Sequence, residues 1–199
     1  VKWNFYRRDT RRIAWIGQNI KMPRYVALLS SINVGGNRLS MAELREAFER
    51  EGLEQVETVI ASGNVLFEHE ERPAEGLAEM LEWIVEDRFG FRSMVAVLGK
   101  AELRSAIEDN PFTGDGADAN VHTMFLDGEV DPAQFRVLVT DQAARGPERL
   151  AMGPRALYID FVEGVSASRM TGAFLERRLG RRGTARNVRS LARILAKMG

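Results

Sequence analysis

Three short stretches of this 199-residue chain combine turn residues with groups able to hold an anion or a polar ligand: Ile32-Asn33-Val34-Gly35-Gly36-Asn37, Ser62-Gly63-Asn64 and Thr184-Ala185-Arg186-Asn187. Gly35-Gly36 lies between an apolar run and a helix start, where backbone N–H groups and the helix dipole favour negative charge. The dinucleotide fingerprint and the lysine-serine pattern of a P-loop are both absent. A tight turn needing positive φ uses glycine for its own reasons, so turn and phosphate cradle are both open readings. Asn33, Asn37 and Asn64 flank the turns. Their amides donate to and accept from a ligand, or satisfy a loop backbone and tolerate a left-handed conformation.

Cations supply the second signal. Residues 1–21 carry net +5, residues 22–167 net −13 and residues 168–199 net +8, which together hide behind a formal charge of zero. On a helix starting at Asn187, Val188, Leu191, Leu195 and Met198 share one face. Arg186, Arg189, Arg193 and Lys197 share nearly the opposite one, with Arg177, Arg178, Arg181 and Arg182 just upstream. Such a stripe engages phosphates, or is solvated, or docks on the acidic body of the same chain. Thr184 is placed to cap this helix, and Arg186 to meet a ligand.

Other chemistries find little support. There is no cysteine, so disulfides, thiolate metal sites and cysteine nucleophiles are excluded. His69 falls in a charged loop and His122 on an expected strand, without zinc spacing. Ser166 and Ser168 stand near Arg169 with no nucleophile elbow or evident base. No carboxylate pair stands out as acid and base, and no cofactor is expected. No apolar run approaches the roughly 18 residues of a membrane span, and the composition, 45% hydrophobic and 28% charged, is that of a globular protein expected in the cytoplasm.

The elements that must position these residues follow from pattern. Residues 1–21 are basic and aromatic, without clear periodicity, and read as an upstream extension outside the core. The other reading is an arm that touches nucleic acid or an anionic lipid surface. Tyr25–Leu29 is a short apolar run suited to a strand covered on both faces. Ser40 and Glu43 form a capping box ahead of a helix that Gly52 stops. Val56–Ile60 and Val65–Phe67 form a hairpin, Pro73 opens a helix ending near Gly90, and Met94–Leu98 is a fourth strand.

This β-α-β-β-α-β order predicts a ferredoxin-like first half, residues 22–112, in an α+β protein. Residues 113–199 predict a smaller, mixed second half. It has a helix from Glu102 to Asp109 just before it, a strand at Val121–Leu126 and a helix from Asp131-Pro132 to about Ala143. A hairpin around Gly153-Pro154 and two closing helices complete it.

The motifs Ile32-Asn33-Val34-Gly35-Gly36, Met41-Ala42-Glu43-Leu44-Arg45, Ser62-Gly63-Asn64-Val65, Asn110-Pro111-Phe112 and Thr184-Ala185-Arg186-Asn187 together resemble the bacterial family catalogued as domain of unknown function 1697. Relatives carry arginine and glycine where this chain has Ser30-Ser31, and lysine where it has Arg169. The resemblance implies a two-part α+β fold, its first part ferredoxin-like, and implies no reaction.

The leading expectation is a binding module for a phosphate-bearing small molecule or nucleic acid. Its candidate residues are Asn33, Gly35, Gly36, Asn37, Ser62, Asn64, Arg169, Arg186 and Asn187. A small-molecule enzyme with its site between the halves, near Asn110-Pro111-Phe112, and an oligomerising scaffold are the alternatives. Partners in the membrane are not expected.

Overall fold

A computed structural model describes residues 22–32, 38–60, 63–70 and 73–199. The first six elements are β1 (Arg24–Leu29), α1 (Met41–Arg50), β2 (Glu54–Thr58), β3 (Asn64–Glu68), α2 (Ala74–Phe89) and β4 (Val95–Gly99). Their strands form an antiparallel sheet in the order β2-β3-β1-β4, the ferredoxin-like arrangement. Helix α3 (Lys100–Glu108) follows. The chain then runs through β5 (Val121–Leu126), α4 (Pro132–Ala143), β6 (Arg149–Gly153), β7 (Ala156–Asp160), α5 (Gly172–Leu179), β8 (Gly183–Asn187) and α6 (Val188–Lys197). The second sheet has the order β6-β7-β5-β8. The second half therefore repeats the topology of the first, and each six-element unit is followed by one further helix.

The α+β architecture with a ferredoxin-like first half is as the sequence predicts. The two closing helices are present, but a strand, β8, runs between them. It has one β-branched residue, Thr184, and no apolar alternation, so its strand character comes from pairing with β5. Strand β2 also lies two residues earlier than its apolar pattern suggests. Gln55 takes φ 49°, the register with β3 shifts between Glu54 and Glu57, and Ile60 turns out of the strand at φ 57°.

Capping and packing explain the rest. Ser40 Oγ accepts from Glu43 N at 3.1 Å and the Glu43 carboxylate accepts from Ser40 N at 3.1 Å. Those bonds from Ser40 hold the Glu43 carboxyl below its ordinary pKa. Gly90 ends α2 in the left-handed conformation at φ 73°. On β1, Ala27 and Leu29 meet α1 and α2 through Leu44, Phe48 and Leu81. Val26 and Leu28 face the other way, so both sides of the strand are buried and its sequence is continuously apolar. A second core joins Met124, Leu157 and Ile159 to Leu138 and Phe174.

A third core belongs to neither unit alone. Val26, Leu28 and Leu66 of the first sheet and Phe125 of the second share it with Leu103 of α3 and Leu191 and Ile194 of α6. A polar seam runs beside it. Asn110 donates to His122 O at 3.2 Å and Thr123 Oγ1 at 3.3 Å, and accepts from Phe112 N at 3.1 Å. Thr123 donates to Ala106 O at 2.9 Å. The Asn110-Pro111-Phe112 motif thus ties the end of α3 to β5.

His122 lies on β5, edge-on to Phe161 with ring centroids 5.0 Å apart, and its Nδ1 bonds Asn120 O at 2.9 Å. Burial pushes its pKa down, and the Asn120 bond only partly opposes that. The folded state therefore binds fewer protons than the unfolded chain, whose histidine titrates near pH 6.5. The stability from this group is present above about pH 6.5 and declines as the pH falls below it. Urea midpoints measured from pH 7.5 down to 5.5 should fall for the parent protein and stay flatter for His122→Gln.

Candidate functional site

The register of β8 against β5 pairs Arg186 with Thr123 and Thr184 with Phe125. Thr184 and Arg186 are two residues apart, so both side chains leave the same face of the second sheet. Both reach the first unit. The Arg186 guanidinium donates from Nε to Asn64 Oδ1 at 2.6 Å and from Nη2 to Leu29 O at 2.9 Å and Gly63 O at 3.0 Å. Nη1 donates to Thr184 Oγ1 at 2.8 Å and Ala185 O at 2.9 Å. Thr184 adds a bond to Leu29 O at 3.3 Å.

All five N–H groups of Arg186 are used, and among the described residues every acceptor is neutral, with no carboxylate present. Burial pushes its pKa down to about 10 from 12.5. At neutral pH the group is still charged, and that displacement corresponds to roughly 3 kcal/mol of unfavourable burial. Hydrogen bonds to charged groups contribute about 1.5–3 kcal/mol each, enough for the set to offset it.

The surrounding residues are shaped to the guanidinium. Gly63 has φ 84°, and a Cβ there would stand 3.0 Å from Leu29 O and 3.1 Å from Arg186 Nη2. A side chain is thus opposed by both backbone strain and space. Asn64, which accepts from Arg186, donates to Val59 O at 3.1 Å and is itself buried. Ser31, just after β1, holds a left-handed φ of 54°.

The candidate residues separate into groups. Asn64 and Arg186 meet directly. Asn187 follows in the chain but serves as N-cap of α6, accepting from Ser190 N at 2.9 Å and donating to Ala119 O at 3.3 Å. Thr184 is not that cap. Arg169 is exposed and lines a different pocket of about 300 Å³ with Arg145, Glu148 and Ser168. Asn33, Gly35, Gly36, Asn37 and Ser62, like the 1–21 extension, lie outside the described residues.

The basic C-terminal stripe is divided too. Arg186 belongs to β8 and not to the helix, and Lys197 pairs with Glu57 at 2.8 Å. Arg178 pairs with Asp141 at 2.6 Å, and Arg182 with Asp127 at 3.0 Å and Glu82 at 3.5 Å. Those residues dock on the protein's own acidic surface. Arg189 and Arg193 remain exposed, one turn apart on α6, and make no ion pair among the described residues.

A larger feature has no counterpart in the motif residues. A cleft of about 630 Å³ opens between α2, β4 and α3 on one side and the ends of β5 and β7 on the other. Glu79, Glu82, Asp109 and Asp127 line it, with Arg155, Arg182 and Tyr158. Burial, then the nearby Asp109 charge, raises the Tyr158 pKa. None of Asn64, Arg169, Arg186 or Asn187 reaches it. No group of three or more His, Asp or Glu among the described residues is placed to hold a metal ion. No helix among them is long and apolar enough to cross a membrane.

The molecule is a tandem of two ferredoxin-like units, closed by a partly buried arginine at one place on their junction and open as an acidic cleft at another. The chain belongs to the family described as "Protein of unknown function (DUF1697)", which matches residues 22–158. Arg186 lies beyond the matched residues. Among solved structures the chain is similar to a conserved bacterial protein, SP0830, from Streptococcus pneumoniae. The two are 27% identical with a TM-score of 0.68, over 89% of this chain and 99% of that one. A search of curated proteins found no match.

Replacing Arg186 leaves the Leu29 and Gly63 carbonyls and the Asn64 amide without their donor. Arg186→Met should cost about 2–4 kcal/mol in urea unfolding, and its effect should be less than additive with that of Gly63→Ala, since both disturb one contact.

Proposed function

We propose that the protein is a non-enzymatic binding module for a small phosphate-bearing ligand, held at the junction corner formed by Gly63, Asn64, Thr184 and Arg186. The observation that carries this reading is the Arg186 guanidinium, largely buried and charged, with only neutral acceptors around it. A fixed cation without a counter-charge favours an anion from outside, more strongly in a partly desolvated place than in water. Its own N–H groups are occupied, so it contributes field and not direct bonds. Direct donors would come from Asn33, Asn37 and the backbone of Gly35, Gly36 and Ser62, whose segments continue in sequence from Ile32 and into Gly63.

A second reading extends the same chemistry to nucleic acid, because Arg189 and Arg193 are exposed one turn apart on α6 with no ion pair among the described residues. That surface is small, and phosphate contacts of this kind bind without sequence preference and weaken in salt.

Thermal unfolding with inorganic phosphate, a nucleoside monophosphate and a nucleoside diphosphate tests the first reading. A ligand bound only by the folded state at 100 times its Kd adds about 2.7 kcal/mol. A rise in Tm of several degrees is expected with the parent protein, and a much smaller one with Gly35→Ala/Asn37→Ala. No rise with any of the three ligands, or an equal rise in the variant, would refute it. Filter binding of single-stranded DNA at low and high salt, with Arg189→Ala/Arg193→Ala, tests the second. Unchanged affinity in the variant would remove it.

A further inference from the structure

We propose that the pocket between the α4–β6 and β7–α5 loops takes a free α-amino acid, its carboxylate on Arg145 and Arg169 and its ammonium on Glu148 and Glu163. This inference is independent of the anion-binding reading. It involves none of the same residues, and a ligand that carries both charges.

The charges of the pocket are matched but not paired. Two guanidiniums and two carboxylates line a volume of about 300 Å³, which lies at the small end of the range for small-molecule sites, roughly 300–1,000 Å³. None of Arg145, Glu148, Glu163 and Arg169 makes an ion pair among the described residues. Elsewhere Arg178 closes on Asp141 and Arg182 on Asp127. Charges of both signs held apart around one small volume fit a ligand that bears both at close range.

The cationic end is fixed by packing. Arg145 N and Gly146 N both donate to Gln142 O, at 2.7 and 3.2 Å, which turns the chain sharply after α4. The Arg145 guanidinium then lies over the Phe174 ring, 4.3 Å from its centroid. Stacking leaves the planar N–H fork available, and such forks match carboxylates bidentately. Arg169, which the sequence singles out and the junction does not use, is the second guanidinium. Its loop is a run of turns, in which Ala167 N donates to Gly164 O and Ser168 N to Val165 O, each at 3.2 Å.

The anionic end is short of donors. Both oxygens of Glu148 are held by neutral groups, one by the Ser168 hydroxyl and the other by the Gln142 amide. Those bonds orient the carboxylate without neutralising it. The Gln142 side chain is 1% exposed, and its Oε1 has no hydrogen-bond partner among the described residues. Turning the amide over would set that oxygen against Glu148, so the deficit belongs to the cluster itself. An unmatched buried acceptor beside an unneutralised carboxylate favours a donor from outside, and an ammonium brings three. Glu163, exposed on the other loop, adds a second carboxylate.

The probe is a panel of the protein-forming L-α-amino acids, titrated into the full chain by isothermal calorimetry, with the N-acetyl and methyl-ester forms of each one that binds. At least one member is expected to bind saturably. Acetylation removes the ammonium and esterification the carboxylate, and each should weaken binding by roughly tenfold or more. Arg169→Ala, which alters an exposed side chain, should do the same. Gly35→Ala/Asn37→Ala should bind the amino acid as the parent does, which separates this pocket from the phosphate reading. Any of four results would overturn the proposal: no binding by any member, unchanged affinity in Arg169→Ala, equal binding of an N-acetyl form, which would make the pocket a plain anion site, or equal binding of a methyl ester, which would make it a plain cation site.

Discussion

A single guanidinium, partly buried and without a counter-charge among the described residues, governs how the two halves of this protein meet. Arg186 leaves the second sheet, crosses the junction and satisfies the end of β1 and the β2–β3 turn at once. Its five donors and their neutral acceptors form a closed set, so no acceptor can be moved without stranding a donor. That set explains why Gly63 must lack a side chain and why Asn64 must be an amide. The same bonds that anchor the junction leave its positive charge unneutralised.

Charge elsewhere is arranged around the same junction. The basic C-terminal block is largely spent on the acidic body, through Arg178, Arg182 and Lys197. These pairs are partly exposed and individually weak. What remains is polar in the electrical sense: a cationic corner at Arg186 and an anionic cleft beside β4. Two ferredoxin-like units built to the same plan therefore present two unlike surfaces where they join.

Much of the first unit was legible in the sequence because local signals agreed with the final packing. The Ser40–Glu43 capping box, the Gly90 helix stop and the two-sided apolar run of β1 each determine their own conformation. The helix from Asp131-Pro132 to Ala143 was legible for the same reason. The repeat of topology in the second half was hidden, because β8 has no strand pattern of its own and gains its form from β5. Arg186 was legible as a candidate residue from its motif, yet its contacts with Leu29 and Gly63 join residues more than 120 positions apart. The acidic cleft gave no signal, since its carboxylates lie on several elements whose faces look merely solvated. The apolar face of α6 was read correctly in outline, with Ile194 added, and Arg186 belongs not to that helix's basic face but to the strand before it.

The third core has a consequence for how this chain comes into being. Val26, Leu28 and Leu66 lie in the first unit, while Leu191 and Ile194, which cover them, come more than 120 residues after Leu66. During translation the first sheet can pair its strands, bury one face against α1 and α2 and cover part of the other with Leu103 of α3, but that second face is not fully closed until α6 has left the ribosome. The first unit thus waits as a half-finished sandwich through the synthesis of the entire second unit. The last part of its closing layer is supplied late, by α6.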